Sequence, residues 1–180
     1  MQTAFAIFDT ALGHAAVVWR ETGIVGVHLP ELEPERTRAG VLRRYPEAAP
    51  AEPPAGVAAA ILGVQALLRG EAADLTGVEL DLSASPAFNR RVYEIARAIP
   101  PGRTLTYGEV AEQLGDPLLA RAVGQALGQN PCAIIVPCHR VLAAGGRTGG
   151  FSARGGVKTK LKLLEIEGAL APDTLPLFAR

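Results

Sequence analysis

Residues 130–141 of this 180-residue chain read NPCAIIVPCHRV. The apolar run 133–136 predicts a short buried strand, and Pro137 ends it because proline cannot donate to a strand ladder. Cys138 and His139 therefore lie at a strand-end turn, where reactive groups are common. A free cysteine has a pKa of about 8.5, so reaction at neutral pH requires a base. A histidine can take the proton directly or through water, and a carboxylate on its far nitrogen would fix the tautomer.

The cysteine content leaves two interpretations of Cys138 open. The chain has only two cysteines, Cys132 and Cys138, so neither a disulfide framework nor a cysteine-rich metal site is expected. Most free cysteines are buried small hydrophobes, which is our interpretation of Cys132. For Cys138, that structural role competes with a nucleophilic one. Free thiols also favour a reducing compartment, and we expect a cytoplasmic protein.

The first part of the chain has the pattern of an α/β domain. Helical apolar spacing predicts a helix over 56–69 that ends at Gly70. The polar stretch around 35–44 is compatible with a short helix. The proline-rich stretch 46–54 predicts an irregular surface loop, since prolines lack donors and restrict their neighbours. Alternating apolar runs predict strands at 4–8, 15–19, 24–29 and 78–82.

The second part of the chain predicts a mainly helical domain. Ser85 suits an N-cap and Pro86 a first helical turn, which predicts a helix to about residue 98. Thr106 and Glu109 fit a capping box that opens another helix. A further helix is predicted over 117–127, and two short helices joined by a glycine-containing turn indicate a helix-turn-helix. The expected divisions are a first domain at 1–82, a second at 83–171 and a tail at 172–180.

The neutral formal charge of the chain hides an uneven distribution. With 18 basic and 18 acidic residues, the total alone argues against a nucleic-acid partner. Residues 1–84, however, hold 6 basic and 11 acidic residues, whereas 85–180 hold 12 and 7. The positive half therefore suits a nucleic acid. Its basic cluster comprises Arg147, Arg154, Lys158, Lys160 and Lys162.

Composition excludes several classes of protein. The chain is 48% apolar and 20% charged, which is typical of globular domains and not of disordered, coiled-coil or collagenous chains. No apolar run approaches the ~20 residues of a transmembrane helix, so no membrane partner is expected. The first residues lack the basic start of a signal peptide.

The segment Pro137-Cys138-His139-Arg140, with Asn130-Pro131 upstream, resembles the active-site signature of the O6-alkylguanine-DNA alkyltransferases, also called methylated-DNA–protein-cysteine methyltransferases. Further matches at the family's spacing cover roughly residues 85–170. They are Tyr107-Gly108, the run 120–124, the run 149–152, Leu163-Leu164 and Glu167-Gly168. The resemblance implies a ribonuclease-H-like α/β first domain, assigned only by position and strand pattern, and a helical second domain with a helix-turn-helix.

The resemblance also implies a chemistry for these residues. Cys138 would attack the alkyl carbon on guanine O6 and keep the alkyl group, so each molecule would act once. His139 would be the base, Glu167 the carboxylate that orients it, and Asn130 the amide that holds the turn. Arg140 is expected to form a structural ion pair. No cofactor or metal is expected, and O4-alkylthymine stays open as a second substrate.

Helical spacing favours Glu167 over its neighbour Glu165 as the orienting carboxylate. At ~100° per residue, Glu167 lies at the edge of the apolar face of its helix, while Glu165 lies on the other side with two lysines. An unpaired inward charge would be costly, so Glu167 is the better candidate for a buried pair. The apolar face is formed by Val157, Leu161 and Leu164, and the lysines are Lys158 and Lys162.

The resemblance implies a monomer that binds double-stranded DNA containing O6-alkylguanine and extrudes the damaged base. Arg121 would fill the vacated place in the base stack. Tyr107 would contact the flipped base and an adjacent phosphate. The small residues Ala120, Ala122 and Gly124 would let this helix approach the minor groove closely. The remaining guanine-binding positions are Val141, Phe151 and Ser152.

The chain departs from the family pattern at several positions. Phe151 stands where tyrosine is frequent, and the loop 152–156 is about two residues longer than in the best-known members. Leu118 and Leu119 are larger apolar residues at the start of the presumed DNA helix, and Gly128 replaces a basic residue. Two other functions are alternatives. One is a non-catalytic sensor of alkylated DNA, whose known members lack the cysteine. The other is a cysteine hydrolase, for which the sequence shows no motif of an oxyanion site.

Overall fold

The computed structural model of the chain describes residues 2–148 and 156–169. It is a mixed α/β structure that packs as two compact units, one formed by residues up to 85 together with 131–135, the other by 86–130 and the residues from 136 onward. Within the described ranges, no helix is both long and apolar enough to cross a bilayer.

The first unit contains a four-stranded sheet. Its long strands pair antiparallel, and the predictions at 4–8, 15–19 and 24–29 are confirmed, each strand being longer than predicted. Gly13 closes the first hairpin with φ +121°, and a Cβ there would collide with the Glu31 carbonyl, so the turn requires glycine. The strands are β1 (Ala4–Thr10), β2 (Gly13–Arg20), β3 (Gly23–Glu31) and β4 (Ala49–Pro50), and their order in the sheet is β3-β2-β1-β4.

The proline-rich stretch is not wholly irregular, which corrects the sequence prediction. Ala49 donates to the Thr3 carbonyl and Ala51 to the Phe5 carbonyl, so β4 pairs parallel with β1. Pro50 is tolerated because its missing N–H falls between these two donors, as it can on an edge strand. The strand predicted at 78–82 is reduced to one bridge between Ile24 and Leu80.

Two helices complete the first unit. Helix α1 (Pro34–Arg44) confirms the short helix expected in the polar stretch, and helix α2 (Ala55–Leu68) confirms the prediction from apolar spacing. Gly70 follows α2 with φ +80° and donates to the Leu67 carbonyl, so it ends the helix as expected. One core cluster joins the sheet to α1 through Phe5, Val18 and Val41.

The second unit is built from helices and one short parallel strand pair. Helix α3 (Ala87–Arg97) begins one residue later than predicted, because Pro86 and not Ser85 occupies the N-cap and no side chain caps the helix. The predicted capping box of Thr106 and Glu109 is confirmed at the start of the next helix, α4 (Tyr107–Gln113). The other elements are β5 (Leu105–Thr106), α5 (Ala120–Gly128), β6 (Val141–Leu142) and α6 (Val157–Ile166).

The helix predicted over 117–127 begins as a separate 3-10 turn, Pro117–Leu119, before α5. The carboxylate of Asp116 accepts the Leu118 N–H at 2.9 Å, and Pro117 has no N–H to contribute. The cap therefore starts a tight turn, and the regular helix follows from Ala120.

The buried strand predicted at 133–136 is wrong. Cys132 makes a single bridge with Val27, after which the chain turns at Ile134, whose φ is +74°. This left-handed conformation is costly for a β-branched residue and is held by burial of the Ile134 side chain. Apolar composition alone cannot reveal such a turn, since buried turns and buried strands share it.

Several sequence predictions fall outside the described residues. These are the family match at 149–152, which includes Phe151 and Ser152, and residues 152–155 of the longer loop, which include Arg154 of the basic cluster. The tail at 172–180 also lies outside them.

Candidate active site

Cys138 begins a buried 3-10 turn, Cys138–Arg140, immediately after Pro137. The Cys138 side chain is 8% exposed, and its backbone N–H donates to the Val136 carbonyl at 2.8 Å. The Asn130 amide donates to the same carbonyl at 2.8 Å, which ties the end of α5 to this turn. The turn thus presents one nearly buried thiol in a fixed position.

His139 and Arg140 share one buried carboxylate. His139 Nε2 lies 2.9 Å from Glu167 Oε1, while Arg140 donates from Nε to Oε2 at 2.9 Å and from Nη2 to Oε1 at 2.8 Å. Arg140 also donates from Nη1 to the Ile99 carbonyl at 2.5 Å. Arg140 therefore forms the ion pair expected from the sequence. Glu165 lies outside this network and pairs with Lys162 at 3.0 Å on the helix surface.

The electrostatics of this network leave His139 able to accept a proton. Burial raises the pKa of Glu167, but hydrogen bonds from His139 and Arg140 outweigh it and lower the pKa to about 2. Burial lowers the pKa of His139, with the Glu167 hydrogen bond opposing it, so the imidazole is neutral near pH 7. Since an ionised Glu167 can only accept, Nε2 carries the hydrogen and Nδ1 the lone pair. Nδ1 is buried and has no hydrogen-bond partner among the described residues.

Cys138 is a protonated thiol at rest. Burial raises its pKa, while hydrogen bonding from Asn130 and the charge of Lys160 act in the opposite direction. A thiol with a raised pKa requires a base at neutral pH, and the adjacent His139 supplies the only neutral imidazole in the described part of the second unit. The arrangement can therefore generate a nucleophilic thiolate on demand.

Lys160 is a component of the site that the sequence interpretation missed. It belongs to the basic cluster predicted from the sequence, yet its side chain is 1% exposed. Nζ donates to the Val141 carbonyl at 2.5 Å and lies 5.7 Å from the centre of the Tyr107 ring, within cation–π range. Burial lowers the pKa of Lys160 to about 8, with the charge of Cys138 opposing the shift.

The buried face of α6 explains the error. The predicted buried face consisted of Val157, Leu161 and Leu164, but Val157 is exposed. The residues that α6 buries are Lys160, Leu163 and Leu164. Lys160 lies four residues before Leu164 and seven before Glu167, which places all three on one side of the helix. That spacing was the available signal, but a lysine is not expected on a buried face.

Tyr107 opens α4 and stands between the lysine and α5. Burial raises the pKa of its hydroxyl, and the charge of Cys138 adds to the effect. Gly124 of α5 lies against the ring, since a Cβ at this glycine would be 3.8 Å from Tyr107 Cε1. The structure therefore brings Tyr107 together with Lys160 and Gly124.

Helix α5 exposes a single charge. Arg121 is exposed, whereas Ala120 and Ala122 on either side are half-buried and Val123 is buried. The arginine thus projects from a helix whose neighbouring side chains are short.

Val141 is buried in β6, and both of its backbone polar groups have partners. Its N–H donates to the Cys138 carbonyl, and its carbonyl accepts from Lys160. A carbonyl has two lone pairs, so this oxygen can accept a second donor. Residues 2–148 and 156–169 contain no group of three side chains suited to hold a metal ion.

Comparison with known proteins identifies the family of this chain. Residues 87–169 match the family model described as 6-O-methylguanine DNA methyltransferase, DNA binding domain. A relative from Mycolicibacterium paratuberculosis, named methylated-DNA–protein-cysteine methyltransferase, is 38% identical over 94% of this chain and 95% of its own. A Thermus thermophilus relative named DNA base-flipping protein is 42% identical over 73% of this chain and 88% of its own. The crystal structure of Mycobacterium tuberculosis OGT in complex with DNA superposes with a TM-score of 0.74 at 36% identity, covering 94% of this chain and 95% of that one. By its sequence and its fold, the chain belongs to the methylated-DNA–protein-cysteine methyltransferase family.

Proposed function

We propose that this protein repairs DNA by transferring the alkyl group of O6-alkylguanine irreversibly to Cys138. The observation that carries the proposal is the buried thiol of Cys138 beside a neutral His139, itself held by Glu167 and Arg140. The arrangement provides a nucleophile and its base. The product on sulfur would be a thioether, a stable group that the imidazole of His139 does not cleave, which suits a protein that acts once.

The proposed reaction is a displacement at the alkyl carbon. The Cys138 proton passes to His139 Nδ1, directly or through water, and Glu167 stabilises the imidazolium that forms. The sulfur then forms a bond to the alkyl carbon as the bond from that carbon to guanine O6 breaks. The electron pair of the broken bond stays on the guanine, which regains a proton. The product is a thioether on Cys138 and an unmodified base, and no cofactor takes part.

Two features of the second unit support DNA as the partner. Residues 117–164 contain seven basic and no acidic residues, so this stretch carries a net positive charge that would attract an anionic ligand. Arg121 projects from a helix with short neighbours, which suits entry into the minor groove and occupation of the place left by a flipped base. Tyr107 and the Val141 backbone would contact the extruded guanine. The roles of Phe151 and Ser152 stay predictions.

An intact-mass experiment tests the reaction. Wild-type protein incubated with an oligonucleotide duplex containing O6-methylguanine should gain one methyl group per molecule and no more. Cys138→Ser should gain none, whereas Cys132→Ser should react like the wild type. Tight lesion binding without a mass change in the wild type would favour the non-catalytic sensor, and repeated turnover would favour the hydrolase.

The sensor alternative has one observation in its favour, the similarity to the Thermus thermophilus DNA base-flipping protein. A sensor needs a pocket for the extruded base but no activated thiol. The known sensors lack the cysteine, whereas this chain carries a free, buried thiol at Cys138. The alkyltransferase is therefore the better supported function.

Replacing Arg121 with alanine should separate base extrusion from chemistry. We expect the rate of methyl transfer from duplex DNA to fall by roughly ten- to a hundredfold, because unstacking a base costs a few kcal/mol that the arginine no longer offsets. Transfer from free O6-benzylguanine, which needs no extrusion, should change less than about twofold. Single-turnover rates on both substrates measure the difference.

Arg43→Ala, at an exposed position of α1 in the first unit, is the matched control and should leave both rates unchanged. Equal losses on the two substrates in Arg121→Ala would contradict the extrusion role.

We further propose the finer architecture and setting implied by the family. The sheet order β3-β2-β1-β4 with α1 and α2 is compatible with a ribonuclease-H-like first domain at 1–82. Helices α4 and α5 with the turn between them are compatible with a helix-turn-helix in a second domain at 83–171. The free, buried thiols Cys132 and Cys138 suit the reducing cytoplasm. One lesion per protein molecule would suit a monomer.

A further inference from the structure

Leu118 is held out into solvent by a built turn. Among the large apolar side chains of residues 2–148 and 156–169 it is the most exposed, at 90%. The turn Pro117–Leu119 is fixed by the Asp116 carboxylate, which accepts the Leu118 N–H, and by the Leu119 N–H, which donates to the Asp116 carbonyl at 3.1 Å. The leucine is thus part of an ordered turn that leads into α5. Its exposure therefore has a structural cause and is not the fraying of a chain end.

The surroundings of Leu118 indicate what could cover it. Leu118 lies in the 3-10 turn and Arg121 in the first turn of α5, three positions later; both are exposed, as is Gln125 one turn further on. No acidic residue follows until Glu165, and the Asp116 carboxylate accepts the Leu118 N–H. The surface therefore joins an exposed apolar tip to a cation.

A double-stranded DNA groove has the matching chemistry. Its walls carry phosphates, while its floor presents deoxyribose and base surfaces that apolar side chains cover in minor-groove complexes. A side chain that contacted phosphate would be basic, and the sequence has leucine here instead. Building on the proposed function, we propose that Leu118 enters the groove beside Arg121 and covers the sugar and base surface that flanks the extruded guanine.

An apolar contact and a phosphate contact respond differently to salt. Each neutralised phosphate releases a counterion, so its contribution falls steeply as salt rises. Burial of a leucine releases no counterion, so its contribution stays constant over the same range. The contribution of Leu118 to the reaction with duplex DNA should therefore be independent of ionic strength.

Four substitutions at exposed positions test the inference in the otherwise unchanged protein. Leu118→Ala and Leu118→Gln should lower the second-order rate constant for methyl transfer from an O6-methylguanine duplex by roughly tenfold, the effect of removing most of one buried leucine. The two losses should be the same at low and high salt. Leu118→Met, which keeps the apolar surface, should react within about twofold of the wild type. Leu62→Ala, at a leucine 66% exposed in α2, should have no effect.

Transfer from free O6-benzylguanine distinguishes the possible failures. All Leu118 variants should react with this small substrate at the wild-type rate. A duplex rate unchanged in Leu118→Ala, a loss that disappears at high salt, full activity in Leu118→Gln, or an equal loss on the free base would each overturn the contact. A wild type that accepts no alkyl group from either substrate would overturn the proposed function itself, which is a different result.

Discussion

Glu167→Gln should slow alkyl transfer to Cys138 by about a hundredfold or more, the usual contribution of a positioned acid–base group. The carboxylate accepts from His139 and from Arg140 at once, and an amide cannot do both. If the amide oxygen faces Arg140, its NH2 group faces His139 and forces the hydrogen onto Nδ1, which removes the base. If the amide is reversed, its NH2 group opposes the Arg140 donors and leaves a buried cation unpaired. The rate with free O6-benzylguanine measures the loss without involving DNA.

Glu165→Gln is the matched control, two residues away on the same helix. Its carboxylate pairs with Lys162 at the surface, where such pairs contribute little. We expect an unchanged rate and an unchanged melting temperature. A larger loss in Glu165→Gln than in Glu167→Gln would mean that the orienting carboxylate is wrongly identified.

The acid dependence of stability gives a second measurement on Glu167. Its pKa is about 2 in the folded protein and has an ordinary value of 4.5. A depressed carboxyl pKa stabilises the fold above the unfolded value, and that contribution is lost as pH falls through the folded value. Wild type should therefore lose roughly 3 kcal/mol more than Glu167→Gln between about pH 4.5 and pH 2. Parallel acid unfolding curves would contradict the buried pairing.

Local patterns in the sequence predicted most of the elements. The three long strands, α2 and the capping box of α4 follow from alternation, helical spacing and the pair Thr106 and Glu109. Each of these signals is contained within one segment, so no distant residue is needed to interpret it. The exceptions, β4 and the turn at Ile134, depend on distant partners or on backbone strain.

The residues of the site also differ in how far the sequence predicts them. The family resemblance of the motif around Cys138 implied a cysteine, a histidine and a carboxylate in one network, and helical spacing favoured Glu167 as the carboxylate. The buried state of Lys160 was not predictable in this way, because composition counts a lysine as surface charge. It depends on the Val141 carbonyl and the Tyr107 ring, which come from other parts of the chain.

Lys160→Met should slow alkyl transfer to Cys138 by roughly ten- to a hundredfold at neutral pH, because the thiolate loses a buried cation whose charge favours it. Lys160 does not hold the reacting atoms, and its influence on Cys138 is electrostatic. Its charge lowers the pKa of Cys138 against the effect of burial, and without it that pKa rises. Iodoacetamide labelling of Cys138 at a series of pH values below 8, located by peptide mass, should be slower in Lys160→Met than in wild type, because Lys160 is charged in this range. Lys158→Met, at an exposed lysine of the same helix, should label at the wild-type rate.

The pKa of Lys160 sets the pH range of this effect. With a folded value of about 8, the ammonium is charged below that pH and neutral above it, so the rate advantage of wild type over Lys160→Met should be largest below pH 8 and shrink above it. Stability should follow the opposite course. Between about pH 8 and the ordinary value of 10.5 the unfolded chain binds more protons, so wild type gains stability relative to Lys160→Met as pH rises through this window. A lowered melting temperature with an unchanged labelling rate below pH 8 would reduce Lys160 to a packing residue. A slower labelling rate below pH 8 with the fold intact would make it the cation that allows a buried thiol to react.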